Sequence, residues 1–259
     1  MATEQPTNLV RGAVAIITGG SSGIGRAVAI EFAQQGARAV VIADLQHQPR
    51  EGGTPTDEAV TELGAKAAFR SCDVSEVGSI AEAIAAADEF GGVTVLVNCA
   101  GIFRASNFLE VTETEYDQMM DINVKGTFFV CQAVAQSMIA GNRTGSIINL
   151  SSIAGLRGGA AYSTYNTSKG AVRMMSYSLA GALSPHGIRV NAVHPGIIRT
   201  SMTTQDVELA TDAVAGMIPA RRIGEAQDVA RSICFLASDF SSYVTGSSLV
   251  VDGGMTYTN

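Results

Sequence analysis

Short runs of apolar residues alternate with helical stretches along almost the whole chain. The first run, residues 13–18, precedes a predicted helix over residues 23–35 that Gly36 ends. Nearly continuous apolar runs between helices are typical of parallel strands that are covered on both faces. Seven such runs occupy residues 13–18, 39–43, 65–71, 93–97, 146–150, 188–193 and 248–251. The alternation predicts an α/β fold of the Rossmann type, a doubly wound sheet of seven parallel strands with helices on both faces.

Three further segments bear on the organisation of the chain. Residues 112–115, Thr-Glu-Thr-Glu, form a capping-box pattern and predict the start of a long helix that reaches about Ala140. Residues 46–57 are polar and rich in Gly and Pro, so we expect a loop there. Residues 201–218 contain apolar positions at helical spacing. That segment is either a mobile lid over a substrate or an ordinary packed surface helix, and its place after Thr200 favours the lid.

No linker or repeat divides the 259 residues, so we predict one domain over residues 1–259, with residues 1–10 as an N-terminal extension. Hydrophobic residues make up 46% of the chain and its net charge is −7, so we expect a large buried core. Binding of nucleic acid is not expected, because phosphate contacts need clustered Lys and Arg. The first residues lack the pattern of a signal peptide, and no apolar run approaches the ~20 residues of a transmembrane helix. We therefore expect a cytoplasmic protein without a membrane partner.

The cysteines and histidines show no spacing typical of a metal site or a disulfide framework. All four cysteines lie in apolar stretches, as buried thiols in a reducing compartment do. We predict no metal in catalysis. His194, at the end of a strand, is either a group that titrates near neutral pH or a packed structural residue, and we favour the structural interpretation.

A glycine-rich segment from Thr18 to Gly25, Thr-Gly-Gly-Ser-Ser-Gly-Ile-Gly, follows the first strand and starts the first helix. Its glycines permit a tight turn and the close approach of a pyrophosphate, to which the helix N-terminus offers free N–H groups. Asp44 ends the second strand, where a carboxylate can accept hydrogen bonds from the ribose of NAD and repels the 2′-phosphate of NADP. Neither Ser21 nor Ser22 adds a basic side chain that would reverse this preference, so we expect NAD as the cofactor.

Tyr165 and Lys169 are four residues apart, so they share one face of a helix. An ammonium near a partly buried phenol lowers the pKa of the phenol, because it favours the phenolate. A phenol tuned in this way can pass a proton to or from an oxygen atom. Such a pair is common by chance. Here it follows the glycine-rich segment and Ser152, thirteen residues upstream, and that combination is specific.

Taken together, these segments resemble the short-chain dehydrogenase/reductase family over residues 11–254. Further motifs of the family are matched by Cys72-Asp73-Val74, Asn98-Cys-Ala-Gly101, Asp121-Ile-Asn-Val124, Pro195-Gly196 with Thr200, and Asp252-Gly-Gly254. The resemblance implies a homotetramer and a nicotinamide dinucleotide. It also implies that the dinucleotide is held by Gly19, Ser21, Ser22, Gly23, Ile24, Gly25, Asp44, Asp73, Val74, Asn98, Ala100, Gly101, Tyr165, Lys169, Pro195, Gly196, Ile198 and Thr200.

The chain departs from the family pattern at two places. Cys99 replaces the second asparagine of the Asn-Asn-Ala-Gly motif, and because Asn98 remains we expect cofactor binding to survive. The loop over residues 46–57 is longer than the usual connection. It either reaches the adenosine end of the cofactor, where Arg50 and His47 could soften the preference for NAD, or is solvent-exposed decoration, which we favour.

The resemblance implies four catalytic residues, Asn123, Ser152, Tyr165 and Lys169. Tyr165 takes the hydroxyl proton in oxidation and gives a proton back in reduction. Lys169 lowers the pKa of Tyr165 and holds the nicotinamide ribose, while Ser152 donates a hydrogen bond to the substrate oxygen. Asn123 holds a water that links Lys169 to solvent.

The expected substrate pocket is formed by Ser152, Ile153, Ala154, Tyr162, Tyr165 and Met202. Its walls are mostly apolar, which favours a neutral secondary alcohol or ketone, although Arg104, Arg157 and Arg199 are near enough to leave an anionic substrate open. The leading hypothesis is an NAD(H)-dependent oxidoreductase that interconverts a secondary alcohol and a ketone. One alternative is a 3-oxoacyl-[acyl carrier protein] reductase using NADPH, against which Asp44 argues. Another is a non-enzymatic dinucleotide-sensing protein, which would be expected to lose part of the catalytic set.

Overall fold

The computed structural model describes residues 8–203 and 211–258. Its strands are β1 (Val14–Thr18), β2 (Ala39–Asp44), β3 (Lys66–Ser71), β4 (Val95–Asn98), β5 (Gly145–Leu150), β6 (Ile188–Pro195), β7 (Ile198–Arg199), β8 (Gly224–Glu225) and β9 (Ser248–Val251). Seven of them form one parallel sheet in the order β3-β2-β1-β4-β5-β6-β9, and β7 pairs with β8 separately. Each predicted apolar run supplies one strand of this sheet, so the single-domain Rossmann-type fold is confirmed.

Helices cover both faces of the sheet. They are α1 (Gly23–Gln34), α2 (Thr56–Glu62), α3 (Ala81–Glu89), α4 (Glu113–Met120), α5 (Thr127–Ala140), α6 (Ser163–Leu183), α7 (Thr211–Met217) and α8 (Ala226–Ala237). Among the described residues, no helix is both long enough and apolar enough to cross a membrane.

Successive residues of the central strand β1 face opposite sides of the sheet, as strand geometry requires. Ile17 packs in one core with Phe32 of α1 and Ile233 of α8, whereas Ile16 packs in a second core with Val134 of α5. All five side chains are fully buried. Burial of a side chain of this size contributes roughly 1.5–3 kcal/mol, so the two cores make the sheet a stable base for the loops at its ends.

The long helix predicted from residue 112 to about Ala140 is interrupted. Its capping box is present, since the Glu115 N–H donates to Thr112 Oγ1 and the Thr112 N–H donates to Glu115 Oε2. A π-helical turn over Asp121–Gly126 then separates α4 from α5. The turn packs tightly against the segment after β3, because a Cβ on Gly126 would lie 2.7 Å from the Val74 carbonyl oxygen. Tertiary contact thus breaks a helix that the local sequence would continue.

Two other predicted segments lie partly outside the described residues. Of the proposed extension over residues 1–10, only 8–10 are described, and Val10 is buried in the core beside α1. Of the proposed lid over residues 201–218, residues 204–210 are not described, while α7 confirms a helix in its second half. Beyond α7, buried Ile218 packs against Ile223.

Candidate active site

The strand order reverses between β1 and β4, and a cleft opens beyond the carboxyl ends of the strands there, as is usual for ligand sites in open α/β sheets. The turns after the two strands come into contact: Gly19 has φ +65°, and a Cβ on it would lie 2.8 Å from the Ala100 nitrogen. Eighteen of the predicted site residues line this cleft: Gly19, Ser22, Gly23, Ile24, Gly25, Asp44, Asp73, Val74, Ala100, Gly101, Ser152, Tyr165, Lys169, Pro195, Gly196, Ile198, Thr200 and Met202.

The other six predicted residues surround the cleft without lining it: Ser21, Asn98, Asn123, Ile153, Ala154 and Tyr162. Further lining residues were not placed in the site from sequence, among them Leu45, Ile102, Ile122 and Leu150. Each of these is within two residues of a predicted site residue. These residues could have been predicted from their position next to predicted site residues, because a loop that brings one side chain to a cleft also brings its neighbours in the sequence.

Asp44 ties the glycine-rich segment to the end of β2. Its Oδ2 accepts a hydrogen bond from the Ser21 N–H at 3.0 Å, and its Oδ1 accepts one from the Gln46 N–H at 3.4 Å. Ser21 itself is buried and turned to the protein, which explains why it does not line the cleft. Asp44 stays partly exposed and lines the cleft, so its carboxylate faces whatever binds at this end.

The loop over residues 46–57 contacts the glycine-rich segment, so its interpretation as solvent-exposed decoration is wrong. Glu51 Oε1 accepts from the Gly23 N–H at 2.9 Å, and the Arg50 N–H donates to Ser22 Oγ at 2.8 Å. Arg50 also lines the cleft. The observed loop ends at residue 55, two residues before the predicted end, because α2 begins at Thr56. No periodic pattern in this polar segment could have singled out Glu51 from its sequence.

Asn98 lies in a buried polar network under the cleft, and its role as a cofactor contact stays a prediction. Its Nδ2 donates to Asn149 Oδ1 at 2.9 Å, and its Oδ1 accepts from Thr18 Oγ1 at 3.3 Å. The Asn149 amide donates in turn to Ser176 Oγ on α6 at 3.0 Å. Buried amides need such partners, and this network joins the ends of β1, β4 and β5 to α6. Asn98 therefore supports the turns that line the cleft.

The π-helical turn directs Asn123 into the protein, where it is fully buried. Its Oδ1 accepts from the Ile102 N–H at 2.8 Å, and its Nδ2 donates to the Ile102 carbonyl at 3.0 Å and to Ser168 Oγ at 3.1 Å. The amide is thus engaged with protein partners, and a water that Asn123 holds for Lys169 stays a prediction. Its position fixes the turn at Gly101, which lies between Asn123 and the Lys169 ammonium.

The Tyr165–Lys169 pair lies on α6, and its electrostatics differ from the expectation. The Lys169 Nζ lies 5.7 Å from the centroid of the Tyr165 ring and donates to the Leu150 carbonyl at 2.9 Å. Burial lowers the pKa of Lys169 to about 8. Desolvation raises the pKa of Tyr165 to about 12, against a smaller lowering effect of a hydrogen bond with Ser152. At the pH where a phenol with this pKa titrates, Lys169 is already neutral, so its charge can favour the phenolate only below about pH 8.

Ser152 and an aromatic side chain complete the surroundings of Tyr165. Ser152 Oγ accepts from the Ala154 N–H at 3.1 Å, and the Ser152 hydroxyl lies near enough to the phenol to lower the pKa of Tyr165. The Phe103 ring packs edge-on against Tyr165, with centroids 5.0 Å apart, and lies 5.3 Å from the ring of Tyr162. A phenol and a hydroxyl that can both reach one substrate oxygen, beside an ammonium, form a site suited to proton transfer.

Comparisons with known proteins agree with this geometry. A family model described as enoyl-(acyl carrier protein) reductase matches residues 19–256. A (3R)-3-hydroxyacyl-CoA dehydrogenase of Rattus norvegicus is 41% identical over 254 residues, which cover 95% of this chain and 97% of the relative. An L-rhamnose 1-dehydrogenase (NAD(P)(+)) of Azotobacter vinelandii is also 41% identical, with 93% and 95% covered. A short-chain type dehydrogenase/reductase from Mycobacterium marinum has a crystal structure that matches with a TM-score of 0.88 at 33% identity, covering 96% of this chain and 98% of that one.

The chain belongs to the short-chain dehydrogenase/reductase family. The relatives named above are dehydrogenases, so this short-chain dehydrogenase/reductase is an oxidoreductase that acts on a hydroxyl or keto group. Its departure from the family motif at Cys99 does not change the charge of the site. Burial raises the pKa of this thiol to about 12, so the side chain adds no charge beside Lys169.

Proposed function

We propose that this short-chain dehydrogenase/reductase interconverts a secondary alcohol and a ketone with NAD(H), and that Tyr165 is the acid/base. The observation that carries the proposal is the convergence of Ser152, Tyr165 and Lys169 in one cleft with Asp44 and the glycine-rich segment. The cleft thus combines a proton-transfer group with features suited to a dinucleotide. A site for hydride transfer needs both.

The residues fit a nicotinamide dinucleotide. The N-terminus of α1 lines the cleft at Gly23 and Ile24, and N–H groups at a helix N-terminus favour a pyrophosphate, which would take the Gly23 N–H over from Glu51. The turn at Gly25 admits no larger side chain, because a Cβ there would collide with the Gly19 carbonyl. Lys169, Gly196 and Thr200 would hold the nicotinamide half. When bound, the dinucleotide accepts or supplies the hydride at the carbinol carbon.

Two carboxylates support NAD as the preferred cofactor. Asp44 lines the cleft, and Glu51 reaches the first N–H of α1. Both would repel the additional 2′-phosphate of NADP. Arg50 is the opposing cation in this part of the cleft. Arg50 contacts Ser22 through its backbone N–H, and Asp44 with Glu51 carries one more unit of charge than the Arg50 guanidinium.

The proton steps follow from the hydrogen bonds around Tyr165. In oxidation, the phenolate oxygen of Tyr165 takes the hydroxyl proton of the alcohol as the hydride leaves. In reduction, the phenol gives its proton to the forming alkoxide, and Ser152 stabilises the same oxygen by donating a hydrogen bond. The charge of Lys169 favours the phenolate, and Asn123 positions the turn beside Lys169.

The substrate is proposed to be neutral near its reacting carbon. Phe103 and Tyr162 give an apolar aromatic wall beside Tyr165. A hydroxyacyl thioester and a sugar are the substrate classes that the names of the two relatives suggest. The second candidate is the reduction of a 3-oxoacyl carrier-protein thioester with NADPH. It is suggested by the description of the matching family model, which names a reductase of acyl carrier protein substrates. A tetramer, a cytoplasmic location and lid closure by residues 201–218 remain predictions.

A substrate panel tests the proposal. Secondary alcohols, diols, sugars and 3-hydroxyacyl thioesters are each incubated with NAD and with NADP, and reduced nicotinamide is followed by its absorbance. Turnover with NAD at a kcat/KM at least about tenfold above that with NADP is expected. Turnover with NADP alone on thioesters would replace the proposal with the acyl reductase, and binding of cofactor without turnover of any class would favour the sensing protein.

A further inference from the structure

A buried histidine that the reaction scheme does not use lies directly behind the catalytic segment. His194 is fully buried near the end of β6. Its Nδ1 lies 3.0 Å from the Ser152 carbonyl oxygen, and its Nε2 lies 2.6 Å from Ser248 Oγ on β9. Ser248 Oγ also lies 2.5 Å from the hydroxyl of Tyr177 on α6. One chain of hydrogen bonds thus joins β9 and α6 to the backbone of Ser152.

The partners fix where the protons lie. A carbonyl oxygen can only accept, so His194 Nδ1 carries a proton and donates to Ser152. Burial, with the positive charges of Arg173 and Lys169, lowers the pKa of His194 and keeps the ring neutral, against an opposing effect of the Ser152 hydrogen bond. In the neutral ring Nε2 is then an acceptor, so Ser248 donates to it and accepts from Tyr177. Each hydroxyl in the chain has one consistent role.

The Ser152 carbonyl lies just beyond the last backbone hydrogen bond between β5 and β6. The Ser151 N–H still donates to the Val193 carbonyl at 2.8 Å, which is the last ladder bond between β5 and β6. One residue later, the His194 side chain supplies the donor to the Ser152 carbonyl. The orientation of the Ser152 peptide, and with it the direction of its hydroxyl, therefore depends on this imidazole.

We propose that His194 is a positioning residue that holds the Ser152 hydroxyl beside the Tyr165 phenol, and that Ser248 and Tyr177 fix the tautomer of His194. This inference rests on the proposed function, because it gives Ser152 a role in the reaction. His194 touches neither substrate nor cofactor and acts through the Ser152 carbonyl.

A matched set of variants separates positioning from packing. The amide of His194→Asn places a donor where Nδ1 was, whereas His194→Leu has nearly the same shape as asparagine and no donor. We expect His194→Asn to keep kcat within about threefold and His194→Leu to lose about tenfold to a hundredfold, since a small misplacement of a catalytic group costs that much. The KM of the cofactor should not change. Equal kcat values for the two variants would overturn the inference.

A double-mutant cycle tests whether the effect passes through Ser152. In a Ser152→Ala background, His194→Leu should cost little further kcat, because the group that it positions is gone. The same fold-loss in both backgrounds would overturn the inference. Ser248→Ala, which leaves the core histidine in place, covers the case in which His194→Leu does not fold, and it should lose part of the kcat with an unchanged cofactor dissociation constant. An unchanged kcat in Ser248→Ala would contradict the proposed role of Ser248 in fixing the His194 tautomer.

Nitrogen NMR of the wild-type protein supplies a readout that is independent of turnover. The chain contains three histidines, so His47→Gln and His186→Gln assign the His194 signals by elimination. The expected spectrum shows a neutral ring with its proton on Nδ1, and a proton on Nε2 would contradict the hydrogen-bond chain. If the wild-type enzyme has no turnover, the proposed function fails. If it turns over but the NMR and the variants disagree with these expectations, the inference alone fails.

Discussion

Replacing Lys169 with methionine tests how the lysine charge assists Tyr165. The pKa of Lys169 is about 8 and that of Tyr165 about 12, so below pH 8 the pair consists of an ammonium and a neutral phenol. The form that accepts the alcohol proton is a phenolate beside an ammonium, which has one proton fewer. Because the two groups interact, the pair as a whole loses this proton with one apparent pKa, near the value of about 8 for Lys169. The rate of alcohol oxidation should therefore rise with pH and level off near pH 8.

The geometry gives the size of the effect. The ammonium is 5.7 Å from the centroid of the phenol ring. With an effective dielectric constant of about 20, opposite unit charges at this separation attract by about 3 kcal/mol, which is a factor of about a hundred in the fraction of phenolate. The Lys169→Met variant should therefore lose about a hundredfold in kcat/KM for oxidation near pH 7. Its rate should keep rising through pH 10 without levelling near pH 8, because the isolated phenol has the pKa of about 12.

The assay is kcat/KM for alcohol oxidation at saturating cofactor from about pH 6 to about pH 10. Lys66→Met, at an exposed position on β3, is the matched control and should follow the wild-type profile. The Leu150 carbonyl loses its donor in Lys169→Met, which should lower the free energy of unfolding by about 1–3 kcal/mol. Urea unfolding measures that loss and so shows whether the variant is still folded when its activity falls. A loss below about threefold near pH 7, or an inflection that stays near pH 8 in the variant, would refute this reasoning.

Two further predictions concern the choice and affinity of the cofactor. Asp44→Asn should shift the ratio of kcat/KM for NAD and NADP towards NADP by about tenfold or more, because removal of one carboxylate relieves a repulsion of about 1–4 kcal/mol with a 2′-phosphate; an unchanged ratio from absorbance assays would exclude that role of Asp44. Glu51→Gln should lower the dissociation constants of both cofactors several-fold in calorimetry, because the Gly23 N–H is then no longer held by an anion. Glu62→Gln, at the exposed end of α2, is its control. Weaker binding in Glu51→Gln would show that the carboxylate instead contacts the cofactor.

The strands and the glycine-rich segment were predictable because their signals are local. A parallel strand covered on both faces needs an unbroken apolar run, and the run at residues 13–18 is such a case. The glycine-rich segment is predictable because a turn from strand to helix needs glycine at fixed offsets. The pairing of Tyr165 with Lys169 is predictable because a helix of period 3.6 brings residues four apart to one face.

The remaining features depend on contacts between distant segments. In the π-helical turn, Asn123 contacts the Ile102 peptide and Gly126 packs against the Val74 carbonyl, and neither contact leaves a periodic pattern in the sequence. The pKa order of Tyr165 and Lys169 depends on how deeply both groups are buried, which spacing does not encode.

The central claim is that Tyr165 performs the proton transfer in a cofactor-binding cleft, and Tyr165→Phe tests it most directly. The phenol oxygen is removed while the ring can still pack against Phe103. We predict that the variant binds NAD with a dissociation constant within about twofold of wild type in calorimetry. We also predict that it loses about a thousandfold of the wild-type kcat, within the range of general acid–base catalysis. Retention of turnover within about tenfold of wild type would contradict the account.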